Sequence, residues 1–101
     1  MSDDRITVLV DVDLEELIPG FLENRARDVH ILRQALAEKD YGKLQSVGHS
    51  LKGVGGGYGF DELSKIGAEI EAAAKAQNID PVEAAIDRMA NYLERIDVIF
   101  E

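Results

Sequence analysis

Apolar residues return at intervals of three or four in four successive stretches of this chain, and no other feature constrains its fold as tightly, because a strand would need them at every second position. The first series is Phe21, Leu22, Val29, Leu32 and Leu36, with Asp40 closing the segment. Asp40 then caps a second stretch carrying Tyr41, Leu44, Val47, Leu51 and Val54. Phe60 and Asp61 open a third, with Leu63, Ile66, Ile70 and Ala74, ending near Gln77 and Asn78. Asp80 and Pro81 open a fourth, since proline at the first helical position gives up only a donor that would be unpaired anyway. Its apolar face is Val82, Ala85, Ile86, Met89, Leu93 and Ile96. Before all of these, Asp13 can cap a short turn, LEELI, which runs into Pro19 and Gly20 as a break or kink.

The spacing therefore predicts helices over about 13–18, 20–39, 41–57, 61–77 and 81–97. Short connections between long helices imply antiparallel neighbours. The expected fold is all-α, an antiparallel up-down four-helix bundle with an extra short N-terminal helix. The two ends fit this less well: ITVLVDVD and RIDVIFE alternate apolar and polar residues and are rich in Val and Ile. They read either as a small two-stranded β-ribbon formed where the termini meet or, for the last segment, as the end of a helix.

A length of 101 residues with 46% hydrophobic content supplies one core, so residues 1–101 are expected to form a single domain. Cysteine is absent, which excludes a disulfide framework and a thiolate metal site. Twenty acidic residues against 11 basic ones give a formal charge of -9, which repels phosphate backbones and anionic lipid. Nucleic acid and membrane surfaces are accordingly poor partners. The leading MSDDRITVLV is acidic and only briefly apolar, which fits neither a signal peptide nor a membrane span, and a cytoplasmic location is expected.

The stretch HSLKGVGGGYGF, from His49 to Phe60, carries the chemistry. On a helix of about 100° per residue, Leu44, Val47, Leu51, Val54 and Tyr58 share one arc, and His49 lies roughly 170° from its centre. The imidazole is expected to face solvent, with Gln45, Lys52, Gly53 and Gly56 around it. An exposed histidine is most often only a polar residue on a polar face. The glycines alter that balance, because each costs a helix about 1 kcal/mol relative to alanine. Close helix packing explains Gly55, which falls on the apolar arc; access by a large partner is the more economical account of Gly53 and Gly56. A neutral imidazole can act as a covalent nucleophile, and a lysine one turn later can neutralise a phosphoryl oxygen. GVGGGYG is not followed by Gly-Lys-Ser/Thr, so it is a weak phosphate-binding loop. His30 is followed by Arg33 and Gln34 in place of lysine and glycine, and reads as an ordinary surface residue.

HSLKG, with Gly59 six residues on and then Leu63 and Ile70-Glu71, resembles the histidine-containing phosphotransfer (HPt) domain of two-component phosphorelays, over roughly Leu14 to Leu93. The resemblance implies a four-helix bundle in which His49 is the phosphoacceptor, exchanging a phosphoryl group with the aspartate of a receiver domain or with a sensor histidine kinase. It implies that Lys52 stabilises the phosphate, that Gly53 leaves room for the receiver, and that Glu71 orients the histidine. Gln45 completes the candidate site. Glu71 projects about 100° from the centre of its own apolar stripe, within reach of His49; a surface pairing with Lys75 is the plainer alternative. Docking is expected on Gly53, Gly56, Leu44 and Val47, with Ala37 beside them. No cofactor or metal is expected on this chain, since Mg²⁺ would belong to the receiver, and a monomer is expected. Val54 departs from the Ser or Ala common in the family, and the additional glycines leave the continuity of the helix past Gly55 open. The competing reading is a non-catalytic helical protein-binding module. An independent enzyme is poorly supported, because one imidazole and one lysine offer no second acid-base group.

Overall fold

The computed structural model describes residues 4–101; residues 1–3, which carry part of the acidic lead, lie outside the described residues. Strand β1 (Ile6–Val10) is followed by a 3-10 helix (Val12–Leu17) and helices α1 (Ile18–Ala37), α2 (Tyr41–Gly57), α3 (Asp61–Lys75) and α4 (Ile79–Arg95), and strand β2 (Ile96–Phe100) closes the order. Among the described residues the chain is thus mostly helical, with a two-stranded parallel sheet. No helix among them is long and apolar enough to cross a membrane.

The segment expected as an extra short helix is a 3-10 helix, capped by Asp11, whose side chain accepts from the Asp13 N–H at 2.8 Å. It leads straight into α1, the usual place for a 3-10 turn. The change from 3-10 to α-helix falls between Leu17 and Ile18, and Pro19 sits in the first turn of α1, where its missing donor has no partner to lose. Asp40 caps α2 by accepting from the Lys43 N–H at 3.1 Å. Helix α4 starts at Ile79, ahead of Asp80 and Pro81, and keeps Pro81 within its first turn.

Helices α1, α2 and α3 end alike. Each passes through one residue of positive φ, Lys39 at 55°, Gly59 at 91° and Gln77 at 58°. The following amide then reaches back five residues: Asp40 N–H to the Ala35 carbonyl at 2.8 Å, Phe60 N–H to Gly55 at 2.8 Å, and Asn78 N–H to Ala73 at 2.9 Å. This is the Schellman ending, which glycine adopts without penalty and which Lys39 and Gln77 enter against side-chain crowding.

Packing follows the apolar stripes. Leu32, Leu44, Leu51, Leu63, Ile66, Ile70, Val82, Ile86 and Met89 are buried from four helices, each contributing about 1.5–3 kcal/mol through removal from water. Phe21 stacks on both Tyr58 and Phe60, at centroid distances of 4.4 and 5.1 Å, and so ties α1 to the link between α2 and α3. Helix α2 packs on α3, α3 on α4, α4 on α1 and α1 on α2, which closes the four around one core.

The last segment leaves the helix at Arg95, and Ile96 is extended at φ -75°, ψ 140°. Strand β2 then pairs in parallel with β1, from Ile6 opposite Ile96 to Val10 opposite Phe100. Period two does its usual work here: Val8, Val10 and Ile96 are buried against the bundle, while Leu9 and Ile99 face outward. Arg5 fastens the far end by donating to the carbonyls of Glu94 and Ile96 at 3.0 and 3.1 Å.

Candidate functional site

Helix α2 presents its stripe Leu44, Gly48, Leu51 and Gly55 to α3, whose facing stripe is Leu63, Gly67, Ile70 and Ala74. Two glycines meet in that interface. A Cβ on Gly48 would stand 2.7 Å from the Glu71 amide nitrogen and 2.9 Å from the Gly67 carbonyl oxygen, and one on Gly67 would stand 2.5 Å from the Lys52 nitrogen. Real side chains do not approach so closely, so the two backbones are in direct contact at the level of His49. Sequence reasoning missed Gly48, Gly67 and Ser64. The signal available was that both glycines occupy positions of the apolar stripe, where a larger residue would otherwise be expected.

That close approach sets the site. His49 flanks that interface, one residue along α2 from Gly48, with 70% of its side chain exposed, and its Nδ1 lies 2.8 Å from Glu71 Oε2. Glu71 is less exposed, at 22%, and its other oxygen, Oε1, lies 3.1 Å from Lys52 Nζ. One carboxylate on α3 thus engages both His49 and Lys52 of α2. The carboxyl of Glu71 is held below its ordinary value, first by the hydrogen bond from Lys52 and then by that from His49.

Geometry of this kind fixes a tautomer. With the neutral ring donating from Nδ1–H to the carboxylate, the lone pair is left on Nε2, the ring nitrogen that Glu71 does not engage. Gln45 is half-buried and lines two shallow clefts that share Glu71: one runs past Gly42, Ser46 and His49, the other past Lys52, Ala72 and Lys75. The structure therefore brings His49, Lys52, Glu71 and Gln45 together.

The expected docking residues divide. Gly53 is open, with no atom within 4 Å of a Cβ built there, and α2 runs unbroken past Gly55 to Gly57. Gly56 faces the Ser64 hydroxyl, 3.4 Å from where its Cβ would be. Val47 is half-buried and packs against the edge of the core. Leu44 is a correction: it is 0% exposed, because it lies on the stripe that α2 turns to α3, and it has no surface to offer a partner. Ala37 is exposed at the last residue of α1, and His30 is exposed on the same helix.

The family model of the Hpt domain matches residues 16–98, nearly the whole chain. No curated protein and no solved structure matches it.

Proposed function

Because the chain belongs to the Hpt domain family, whose members carry out histidine phosphotransfer in phosphorelays, we propose that His49 is its phosphoacceptor and exchanges a phosphoryl group with the aspartate of a response-regulator receiver domain or with a sensor histidine kinase. The observation that carries this reading is the exposed ring whose Nδ1 is 2.8 Å from Glu71 Oε2. A ring held in that way is both oriented and free at Nε2, the two conditions for a nucleophile that another protein must reach.

In the transfer, the Nε2 lone pair attacks the phosphorus of an aspartyl phosphate. The N–P bond forms as the bond from phosphorus to the aspartyl oxygen breaks, and the electron pair leaves on the carboxylate. The ring keeps its Nδ1 proton and becomes a phosphorylated imidazolium, whose positive charge faces the Glu71 carboxylate. Lys52 can turn from Glu71 to the phosphoryl oxygens as a compact positive charge. The return reaction runs through the same groups, and the charged ring is the better leaving group. Mg²⁺ belongs to the receiver in this reading, since one carboxylate already bound to a lysine does not make a divalent-cation site on this chain.

The finer features of the reading are an antiparallel up-down arrangement of the four helices, supported by their short links and closed order of packing, and a monomer acting in the cytoplasm. The partner would close over His49 through the open backbone at Gly53 and the edge formed by Val47 and Gly56. Incubation with a phosphorylated receiver domain tests it. The expected product is an acid-labile, base-stable label on the wild-type chain and none on His49→Gln. Transfer that survives His49→Gln would overturn the proposal, and partner binding without any label would identify a helical binding module instead.

A further inference from the structure

One hydroxyl in the interface between α2 and α3 belongs to none of the groups assigned so far. Ser64 Oγ donates to the Lys52 carbonyl at 2.8 Å and accepts from the Gly56 N–H at 2.8 Å. That carbonyl and that amide are four residues apart, the pair that a regular α-helix bonds to each other. A side chain of α3 therefore engages both ends of one rung of α2, beside the lysine of the site.

Glycines make the berth. A Cβ on Gly55 would stand 2.6 Å from the Ser64 nitrogen and 2.9 Å from its Oγ. The other side of Lys52 is held as well, because its backbone nitrogen would be 2.5 Å from a Cβ on Gly67. Lys52 is thus tied to α3 by a hydrogen bond at its carbonyl and by direct packing at its amide. Ser64, Gly67 and Glu71 follow one another at intervals of three and four, along a single stripe of α3. The face that fixes the backbone of Lys52 also carries the carboxylate that receives its ammonium.

We propose that Ser64 is a positioning residue for the phosphotransfer site, its bridging hydroxyl setting where Lys52 stands on α2 so that the ammonium meets Glu71 and, in the phosphorylated protein, the phosphoryl oxygens. A lysine reaches its target through a flexible four-carbon stem, so fixing the base of the stem removes much of the volume that the ammonium would otherwise sample. The kinetic consequence rests on the phosphotransfer reading above; the resting-state consequence rests on the α2–α3 geometry alone.

Two measurements on Ser64→Ala separate these. This variant leaves the Lys52 carbonyl and the Gly56 N–H free to bond directly, so α2 should stay helical while its tie to α3 is lost. With phosphoramidate as a small donor, the rate of His49 phosphorylation should fall about fivefold to tenfold, the loss expected for one positioning hydrogen bond. In a Lys52→Ala background the same change should cost nothing further. A rate unaltered by Ser64→Ala, or a loss that recurs in full without Lys52, would overturn the inference. In the unphosphorylated protein, the NMR titration midpoint of the Glu71 carboxyl should rise toward 4.5 in Ser64→Ala, as Lys52 is released. An unchanged midpoint would also overturn it. If the wild type takes no phosphoryl group at all, the phosphotransfer reading fails and the titration alone decides the place of Ser64. Should Ser64→Ala lose cooperative unfolding, Gly56→Ala, whose Cβ would stand 3.4 Å from Ser64 Oγ, must shift the midpoint in the same direction.

Discussion

Two glycines of α2, five residues apart, should respond to the same substitution with opposite signs. At Gly48 an added Cβ would stand 2.7 Å from the Glu71 nitrogen and 2.9 Å from the Gly67 oxygen, both backbone atoms that cannot rotate away. An ordinary contact needs about 3.5 Å, so α3 must retreat by roughly 0.8 Å. If the Glu71 carboxylate follows its own backbone, its 2.8 Å separation from His49 Nδ1 opens to about 3.6 Å, beyond a hydrogen bond. Overpacking costs about 1–3 kcal/mol, against the roughly 1 kcal/mol that alanine gains in helix propensity, leaving a net loss of up to about 2 kcal/mol. At Gly53, where no atom lies within 4 Å, only the gain remains. Both changes remove one glycine from the unfolded chain, so their difference isolates the native interface. Urea unfolding followed by circular dichroism measures the stabilities, and ¹⁵N spectra of the ring report whether the proton stays on Nδ1. A Gly48→Ala protein as stable as Gly53→Ala, with its ring tautomer intact, would refute the direct backbone contact between α2 and α3.

Three further outcomes follow from the same structure. Gly53→Ala, though stabilising, should slow transfer from a phosphorylated receiver domain, because the added methyl occupies the surface on which the partner must close; transfer at the wild-type rate would remove Gly53 from that surface. Gln77→Gly should stabilise the protein by about 0.5–1 kcal/mol, since Gln77 ends α3 at a φ of 58° that favours glycine, and thermal unfolding measures it. Glu71 should titrate below 4.5, and Lys52→Ala should reverse more of that lowering than His49→Gln does, as followed by ¹³C NMR of the carboxyl. Because the folded value is the lower one, the stability that Glu71 contributes is fully present above pH 4.5 and fades as the pH falls through the folded midpoint.

The helices were legible because burial imposes a period: Leu44 and Leu51, or Leu63 and Ile66, lie an odd number of residues apart and would fall on opposite faces of a strand, yet all four are buried. The outward direction of His49 follows from the same projection, as does the inward one of Leu44, which makes its expectation as a docking residue inconsistent with its own place on the stripe. Gly48 and Gly67 were harder to see. A glycine on an apolar stripe looks like a gap in the pattern, and only two such gaps facing each other across an interface reveal a close approach. Ser64 left no trace, since its significance lies in the Lys52 carbonyl and the Gly56 N–H, and sequence periodicity carries no record of backbone groups borrowed by a neighbouring helix. The termini were ambiguous for a related reason: IDVIF satisfies either period over so short a span, and pairing with ITVLV decides between them.

Because β1 and β2 run the same way, the polypeptide enters the ladder where Ile6 faces Ile96 and departs where Phe100 faces Val10. Tension between the two ends would drag one strand lengthwise past the other, so that every rung bears load together, whereas an antiparallel pair would unzip one rung at a time. Five residues on each side are few, but in this orientation they make the ribbon a shear clamp that must rupture before a pulling force reaches the bundle.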